Sequence, residues 1–165
     1  TGEVMGVDPS LGLAFMKAQL AAGQFLPASG CVFISVNDHD KNGIVIPAKT
    51  FQKLGFTIMS TRGTAAFLAE HGVRCQVVNK VYEGRPNVID HIKNGDIQLV
   101  INTSSGKRTK EDSSELRRTT VMYGLPYTTN LAAAKALAMA IKERSASGLD
   151  VKCLQEYYRE PGRDY

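Results

Sequence analysis

The sequence predicts an α/β fold, a Rossmann-like three-layer sandwich with about five mostly parallel strands flanked by helices. Short apolar or β-branched runs recur along the chain, and each interval of roughly 20–25 residues has room for a crossover helix. Strands that are joined by such crossovers lie parallel. The intervals also end at glycines, which suit helix ends. The predicted strands are Cys31–Val36, Phe56–Ser60, Cys75–Val78, Leu99–Asn102 and Leu125–Thr128.

The intervals between the strands predict the helices. Pro47 would make the first turn of the earliest one irregular, whereas Pro86 suits the first turn of the third. The last interval is rich in alanine and leucine, which are strong helix formers. The predicted helices are Ile44–Leu54, Ala65–Glu70, Pro86–Lys93, Ser113–Tyr123 and Leu131–Lys142.

A further helix is predicted ahead of the first strand, from Asp8 to Ala22. Asp8 would be its N-cap, Pro9 fits its first turn and Gly23 would end it. We expect residues 1–28 to comprise the end of a preceding segment and this linking helix. Residues 29–145 would form the α/β domain, and residues 146–165 a polar carboxyl-terminal tail. Because the sequence does not start with Met, we expect it to be part of a longer protein.

Composition favours one globular domain and excludes several classes of partner. The chain has 165 residues, of which 43% are hydrophobic and 22% charged. Its formal charge of +4 is spread out with no Lys/Arg block, which disfavours nucleic-acid binding. Its apolar runs fall far short of the roughly 20 residues of a membrane span. Cys31, Cys75 and Cys153 are widely spaced, so we expect free thiols and a reducing, cytoplasmic location.

Polar loops of one chemical character follow three of the predicted strands. They are Thr61–Thr64, Val78–Pro86 and Asn102–Arg108, and they supply hydroxyls, amides, glycines and cations. The carboxyl ends of parallel strands meet at one edge of the sheet, where ligands bind. The loops therefore predict a shared anion site. Taken singly, each has a plainer interpretation: Thr61 or Thr64 as a helix cap, Lys80 as solvated surface, and the last loop as a flexible turn.

A metal site and the common nucleotide fingerprints are not predicted. Asp38, His39 and Asp40 follow the first strand, but no other His or Cys is clearly placed to complete a set of three or four ligands. The sequence contains neither Gly-x-x-x-x-Gly-Lys-Ser/Thr nor Gly-x-Gly-x-x-Gly.

With these loops in view, residues 31–142 resemble the methylglyoxal-synthase-like domains. Within that group the likeness is to the carboxyl-terminal allosteric domains of bacterial carbamoyl-phosphate synthase large chains. Residues 1–6 resemble the end of the ATP-grasp synthetase half that precedes those domains. The motifs that carry the resemblance are Thr61–Thr64, Val78–Pro86, Ile92–Gly95, Ile101–Gly106 and Arg117–Arg118.

The resemblance implies a regulatory, non-catalytic domain of an ATP-dependent ligase. The parent would make carbamoyl phosphate from glutamine, bicarbonate and ATP, with Mg²⁺ or Mn²⁺ and K⁺, for pyrimidine and arginine synthesis. The domain itself would need no cofactor. UMP would inhibit, while IMP and ornithine would activate. Its partners would be the rest of the large subunit, the glutaminase small subunit and further copies of the holoenzyme, with no nucleic acid and no membrane.

The resemblance also implies which residues bind the effectors. In the nucleotide site, the lysines would neutralise the phosphate, while the hydroxyls and the Gly63 N–H group would orient it. This set comprises Lys41, Thr61, Gly63, Thr64, Lys80, Asn102, Thr103, Ser104 and Ser113. Ornithine would contact Tyr127, Thr128 and Thr129. Bacterial relatives often carry Asp where Thr128 stands, and a threonine there disfavours a response to ornithine. No catalytic residue or metal ligand is implied.

Two alternatives stay open at this stage. Methylglyoxal synthase, an enzyme of the same fold, eliminates phosphate from dihydroxyacetone phosphate and needs a carboxylate base. The synthase has Asp in the loops after its third and fourth strands. This chain offers Glu83 in one of these loops and hydroxyls in the core of the other, so catalysis is disfavoured. A stand-alone interaction module would explain the fold but not the edge of cations and hydroxyls.

Overall fold

The computed structural model describes residues 2–103 and 108–158, without the side chains of 108–112 and 154. Its centre is a five-stranded sheet in the order β3-β2-β1-β4-β5, in which every neighbouring pair is parallel. The predicted α/β class and parallel sheet are therefore confirmed. The strands are β1 (Cys31–Val36), β2 (Thr57–Thr61), β3 (Gln76–Val78), β4 (Leu99–Thr103) and β5 (Tyr127–Thr128).

Helices cover both faces of the sheet and connect its strands. Two short 3-10 turns, Asp38–Asp40 and Val81–Glu83, lie among them. The helices are α1 (Leu11–Ala21), α2 (Lys41–Lys53), α3 (Arg62–Glu70), α4 (Val88–Lys93), α5 (Arg108–Met122), α6 (Leu131–Ser147) and α7 (Leu154–Tyr158).

The alternation of β1 divides the core into two layers. Val32 and Ile34 join a cluster with residues of α1, α2, α3 and α6, including Met16, Phe51 and Ile141. Successive strand residues point to opposite faces. The intervening β1 residues accordingly pack into a second cluster against α4 and α5. A strand that is buried on both faces has a continuous apolar sequence, which agrees with the run CVFISV of β1 and its central place in the sheet.

The strand order places a topological switch point beside β1. From β1 the chain runs outwards through β2 to β3, and then returns to the other side of β1 to form β4 and β5. Because successive crossovers diverge there, the carboxyl ends of β1 and β4 border an open crevice. This is the edge that the polar loops predicted.

The prediction that Asp8 caps the first helix is wrong. Ser10 is the N-cap, and its hydroxyl accepts a hydrogen bond from Leu13 N at 3.2 Å. Asp8 lies before the helix, where its carboxylate accepts from Ser10 N at 3.0 Å and pairs with Lys17 at 2.8 Å. A serine two residues later offers the same kind of cap, and the sequence alone does not rank the two.

The starts of α2, α3 and α4 also differ from prediction, and α3 begins at Arg62 instead of Ala65. The helix α2 begins at Lys41 and contains Pro47, because the 3-10 turn capped by Asn37 leads directly into it. The helix α4 begins at Val88, so Pro86 is outside it. The Asn87 side chain accepts from Ile89 N at 3.0 Å, and a carboxylate oxygen of Asp90 accepts from Asn87 N at 2.9 Å. This reciprocal capping box defines the start more strongly than a proline does.

The last three helices also differ in detail from the prediction. The helix α5 begins at Arg108, ahead of the predicted Ser113, and α6 continues to Ser147. Part of the predicted tail forms α7, where the Tyr157 hydroxyl donates to Val7 O at 2.9 Å. Residues 159–165 lie outside the described residues. The division into three segments stays a prediction.

The cysteines are free thiols. Cys31 is in β1 as predicted, and its burial raises the pKa of its thiol. Cys75 precedes β3, which starts at Gln76, so its predicted place in the strand is one residue off. Cys153 is exposed.

Candidate anion-binding site

A cavity of about 280 Å³ opens at the carboxyl ends of β1, β2 and β4. It lies at the switch point of the sheet, where parallel α/β folds bind ligands. Its lining includes the apolar side chains of Phe33, Val36 and Leu116. Its polar residues come from the ends of β1, β2 and β4, from the turns that follow β1 and β3, and from α2, α3 and α5, so separate parts of the sequence build one site.

The turn after β1 is tied to the end of β4 through Asn37. Its backbone N–H donates to Thr103 O at 3.0 Å, and its side-chain amide donates to Thr103 Oγ1 at 3.1 Å. The same amide group caps the following turn, accepting from Asp40 N at 3.1 Å. This arrangement projects Asp38 and Lys41 into the cavity lining.

The start of α3 borders the cavity, which Thr61, Gly63 and Thr64 line. Thr61 has the backbone conformation of an N-cap, but its side chain makes no capping hydrogen bond. Its hydroxyl instead lies 3.1 Å from the Ser35 hydroxyl. The Thr64 hydroxyl accepts from Val36 N at 3.2 Å. The helix-cap interpretation of these threonines is therefore wrong, and the uncapped, positive end of the helix can bind an anion.

Gly63 keeps this part of the cavity open. A Cβ atom built on Gly63 would have no heavy atom within 4 Å, and its backbone conformation does not require glycine. Neither packing nor backbone geometry within the domain therefore explains the residue. A glycine here does leave space for a ligand to approach the N–H groups of α3.

The turn after β3 contributes Lys80. Its ammonium lies 5.9 Å from the centre of the Tyr82 ring, a cation–π distance. The Glu83 carboxylate turns back to the backbone and accepts from Lys80 N at 2.8 Å. Glu83 is absent from the described lining of the cavity. Lys80 thus lines the cavity, whereas the Glu83 carboxylate stabilises the turn.

The end of β4 and the helix α5 contribute an amide and hydroxyls to the cavity. The Asn102 side-chain amide donates to Ser113 Oγ at 3.2 Å and to the Tyr127 hydroxyl at 3.4 Å. Ser113 lies within α5 and is buried, so it is not the N-cap of that helix. The predicted site residue Ser104 lies outside the described residues.

Charge in the described cavity is set by two lysines and one carboxylate. Lys41 Nζ lies 2.8 Å from Asp38 Oδ1. The hydrogen bond from Lys41 holds the pKa of the Asp38 carboxyl below its usual value, so Asp38 is ionised near neutral pH. In the part of the chain that the structure describes, no ion pair is formed by Lys80. Because two lysines and the uncapped start of α3 outweigh one carboxylate, the described cavity favours an anion.

Residues 43–129 match the family model described as "MGS-like domain", and this stretch includes most of the cavity's turns. The chain belongs to the MGS-like domain family. The large chain of carbamoyl phosphate synthase, C-terminal section, from Aquifex aeolicus is 53% identical to it over 163 residues. That alignment covers 96% of this chain and 30% of the relative.

Longer relatives show the same pattern. The carbamoyl phosphate synthase large chain of Mesorhizobium japonicum is 49% identical over 158 residues, covering 96% of this chain and 14% of the relative. The corresponding protein of Archaeoglobus fulgidus is 46% identical over 161 residues, covering 97% of this chain and 15% of the relative. The chain therefore spans about a third or less of the length of these relatives.

Every described member of the nucleotide set predicted from the sequence lines the cavity of this MGS-like domain. These residues are Lys41, Thr61, Gly63, Thr64, Lys80, Asn102, Thr103 and Ser113. That they bind a nucleotide monophosphate stays a prediction. The sequence interpretation missed Ser35, Asn37 and Asp38, which also line the cavity. They end or follow β1, so the rule that selected the other three loops would have found them.

The residues predicted for ornithine divide between two environments. Tyr127 and Thr129 line a separate open groove of about 480 Å³, together with Gln19, Gln24 and Arg117. Thr128 is 5% exposed and outside the described lining of the groove, and its hydroxyl donates to Asn130 O at 3.4 Å. A role of Tyr127, Thr128 and Thr129 in binding ornithine stays a prediction.

Among the described residues, no group of three or more His, Cys, Asp and Glu side chains is arranged to hold a metal ion. Within the same residues, no helix has both the length and the apolar character needed to cross a bilayer.

Proposed function

We propose that this domain is the regulatory, non-catalytic end of a carbamoyl-phosphate synthase large subunit and that its cavity binds a nucleotide monophosphate. The observation that carries the proposal is the convergence of Lys41, Lys80 and the uncapped start of α3 on one cavity. These groups match a phosphate, which accepts several charge-assisted hydrogen bonds at once.

The rest of the lining suits the remainder of a nucleotide. Hydroxyl and amide groups of Ser35, Asn102 and Ser113 can bond to ribose or to base edges. The apolar side chains of Phe33, Val81 and Val88 can pack against a base. A site with an apolar part and a few placed polar groups is typical of small-molecule recognition.

The proposed control follows from linkage. UMP would inhibit by binding the less active state of the parent more tightly, and IMP would activate by favouring the other state. The parent would use glutamine, bicarbonate and ATP, with Mg²⁺ or Mn²⁺ and K⁺, to supply pyrimidine and arginine synthesis in the cytoplasm. The domain would hold no cofactor of its own. Its proposed partners are the rest of the large subunit, the glutaminase small subunit and other copies of the holoenzyme.

The groove gives ornithine a proposed place at the opposite side of Asn102. Tyr127 lines the groove while its hydroxyl accepts from the Asn102 amide, and Asn102 lines the cavity. One hydrogen bond therefore joins the two candidate effector sites. Thr128 offers no carboxylate for the ammonium of ornithine, so we expect ornithine to bind more weakly than the nucleotides.

A catalytic phosphate lyase is the weaker candidate. Within the described lining, the carboxylate is that of Asp38, which is ionised and already paired with Lys41. Glu83 is occupied with the backbone of its own turn. A lyase would release methylglyoxal from dihydroxyacetone phosphate, and an assay for that product tests this candidate separately.

Calorimetric titration of the chain with UMP, IMP and ornithine tests the proposal. Lys80→Ala should weaken or abolish nucleotide binding, because it removes a cation from the cavity. Lys93→Ala is the matched control, since Lys93 is exposed at the end of α4 and outside the described cavity lining. Equal losses in the two variants, or no binding by the unaltered chain, would contradict the proposed site.

A further inference from the structure

We propose that Asp38 is an internal competitor for Lys41, so that the phosphate of an effector must displace the Asp38 carboxylate from the Lys41 ammonium in order to bind. The proposal rests on the nucleotide site proposed above and concerns how its affinity is set. It assigns Asp38 a restraining role rather than a place among the residues that hold the ligand.

The first support is the geometry of the pair. Asp38 and Lys41 both line the cavity, and Lys41 Nζ lies 2.8 Å from Asp38 Oδ1. Their side chains differ in exposure: that of Lys41 is 23% exposed and that of Asp38 is 89% exposed. The ammonium is therefore held near the wall, whereas the carboxylate can move into solvent. An incoming anion can take its place without either charge being buried unpaired.

The second support is the contrast with Lys80. No described carboxylate pairs with its ammonium, whose neighbour is the Tyr82 ring at 5.9 Å. The cavity thus contains one cation that is available and one that is already satisfied. A phosphate dianion makes stronger charge-assisted hydrogen bonds than a single carboxylate, so it can displace the Asp38 carboxylate from Lys41. Breaking the existing pair still subtracts from its affinity.

The third support is that the neighbouring acid, Asp40, bonds within its own turn and does not pair with a lysine of the described cavity. Asp40 belongs to the same turn, yet its carboxylate accepts from the Asn37 amide at 2.6 Å and does not line the cavity. Replacing Asp40 by Asn removes the same charge from the same turn while leaving the Lys41 pair intact. An amide at position 40 also keeps an oxygen that can accept from Asn37. Asp40→Asn is therefore the matched control.

The test measures the affinity of the chain for UMP and for inorganic phosphate in Asp38→Asn, Asp40→Asn and the unaltered sequence. Exposed ion pairs contribute modestly, so Asp38→Asn should tighten binding about two- to fivefold, and Asp40→Asn by less. Thermal unfolding of each variant checks that the fold is retained. Asp38→Ala should give the same direction, and it replaces Asp38→Asn if that variant unfolds.

Three results would overturn the inference. Weaker binding in Asp38→Asn would show that the carboxylate contacts the ligand. An unchanged affinity would show that the pair does not compete. Equal tightening in Asp38→Asn and Asp40→Asn would reduce the effect to net charge. If the unaltered chain binds neither UMP nor phosphate, the proposed function fails as well, whereas binding without an Asp38 effect overturns this inference alone.

Discussion

The turns after β1 and β3 are built alike but prepare their lysines differently. Each is a short 3-10 turn that a side chain stabilises: Asn37 caps the first, and the Glu83 carboxylate accepts from the Lys80 backbone in the second. Lys41, directly after the first turn, is paired with Asp38 within it, while no described acid pairs with Lys80. The position of one acid within a turn therefore decides whether a cation is available to a ligand.

The largest effect that follows is an unequal response to removing the lysines. Lys80→Ala should weaken UMP binding about 10- to 100-fold, the range expected when a hydrogen bond to a charged group is lost. Lys41→Ala should weaken UMP binding less, about 3- to 10-fold, because in the free protein the Lys41 ammonium is already paired with Asp38 and the phosphate must break that pair. Calorimetric titration of both variants measures the difference. A larger loss for Lys41→Ala would reverse the comparison between the two turns.

A second variant separates the space of the cavity from its charge. Gly63→Ala should reduce UMP affinity about tenfold, because the added methyl group enters space beside the N–H groups of α3. The free energy of unfolding should stay the same or rise by up to about 1 kcal/mol, because alanine favours a helix more than glycine does. Urea unfolding and titration measure the two quantities. Lower affinity with undiminished stability assigns Gly63 to ligand binding, and a parallel loss of both assigns it to the fold.

The same comparison shows how far the sequence could predict this site. Thr61–Thr64 and Asn102–Thr103 were found because apolar runs mark the strands and parallel strands share an edge. The pairing of Asp38 with Lys41 was not predictable, because it needs the 3-10 turn that brings residues three apart together. Periodicity indicates where a strand ends, but it does not give the shape of the turn that follows.

The residues that form the groove were less predictable from the sequence than those of the cavity. It combines Gln19 and Gln24, at the end of α1 and just after it, with Arg117 on α5, a residue nearly a hundred positions later. Such a surface depends on how helices from distant parts of the chain pack. By contrast, the start of α4 was misjudged for a local reason, because Asn87 makes two capping contacts that outweigh a proline signal.

A smaller effect should follow from loosening the first turn. Asn37→Ala removes the cap of Asp38–Asp40 and the side-chain bond to Thr103, so the free energy of unfolding should fall by about 1 kcal/mol. Asn94→Ala is the control, because Asn94 is exposed and makes no side-chain hydrogen bond in the described structure. Urea unfolding compares the two. Equal stability in both variants would mean that the turn does not depend on its cap.

The smallest expected effect is on the stability of the fold at low pH, and it involves Asp90 in the segment after β3. The Arg85 guanidinium, together with Asn87 N, lowers the pKa of Asp90 from 3.8 to about 2. A carboxyl with a lower pKa in the folded state adds stability above its unfolded pKa, and this contribution disappears as pH falls through the folded value. Asp90→Asn should therefore reduce the loss of stability between about pH 4 and pH 2, and should leave UMP affinity at neutral pH unchanged.

The control variant is Asp96→Asn, which removes the exposed partner of His91. Unfolding followed by circular dichroism against pH distinguishes them, and identical acid profiles for Asp90→Asn and the unaltered chain would show that this ion pair does not stabilise the fold.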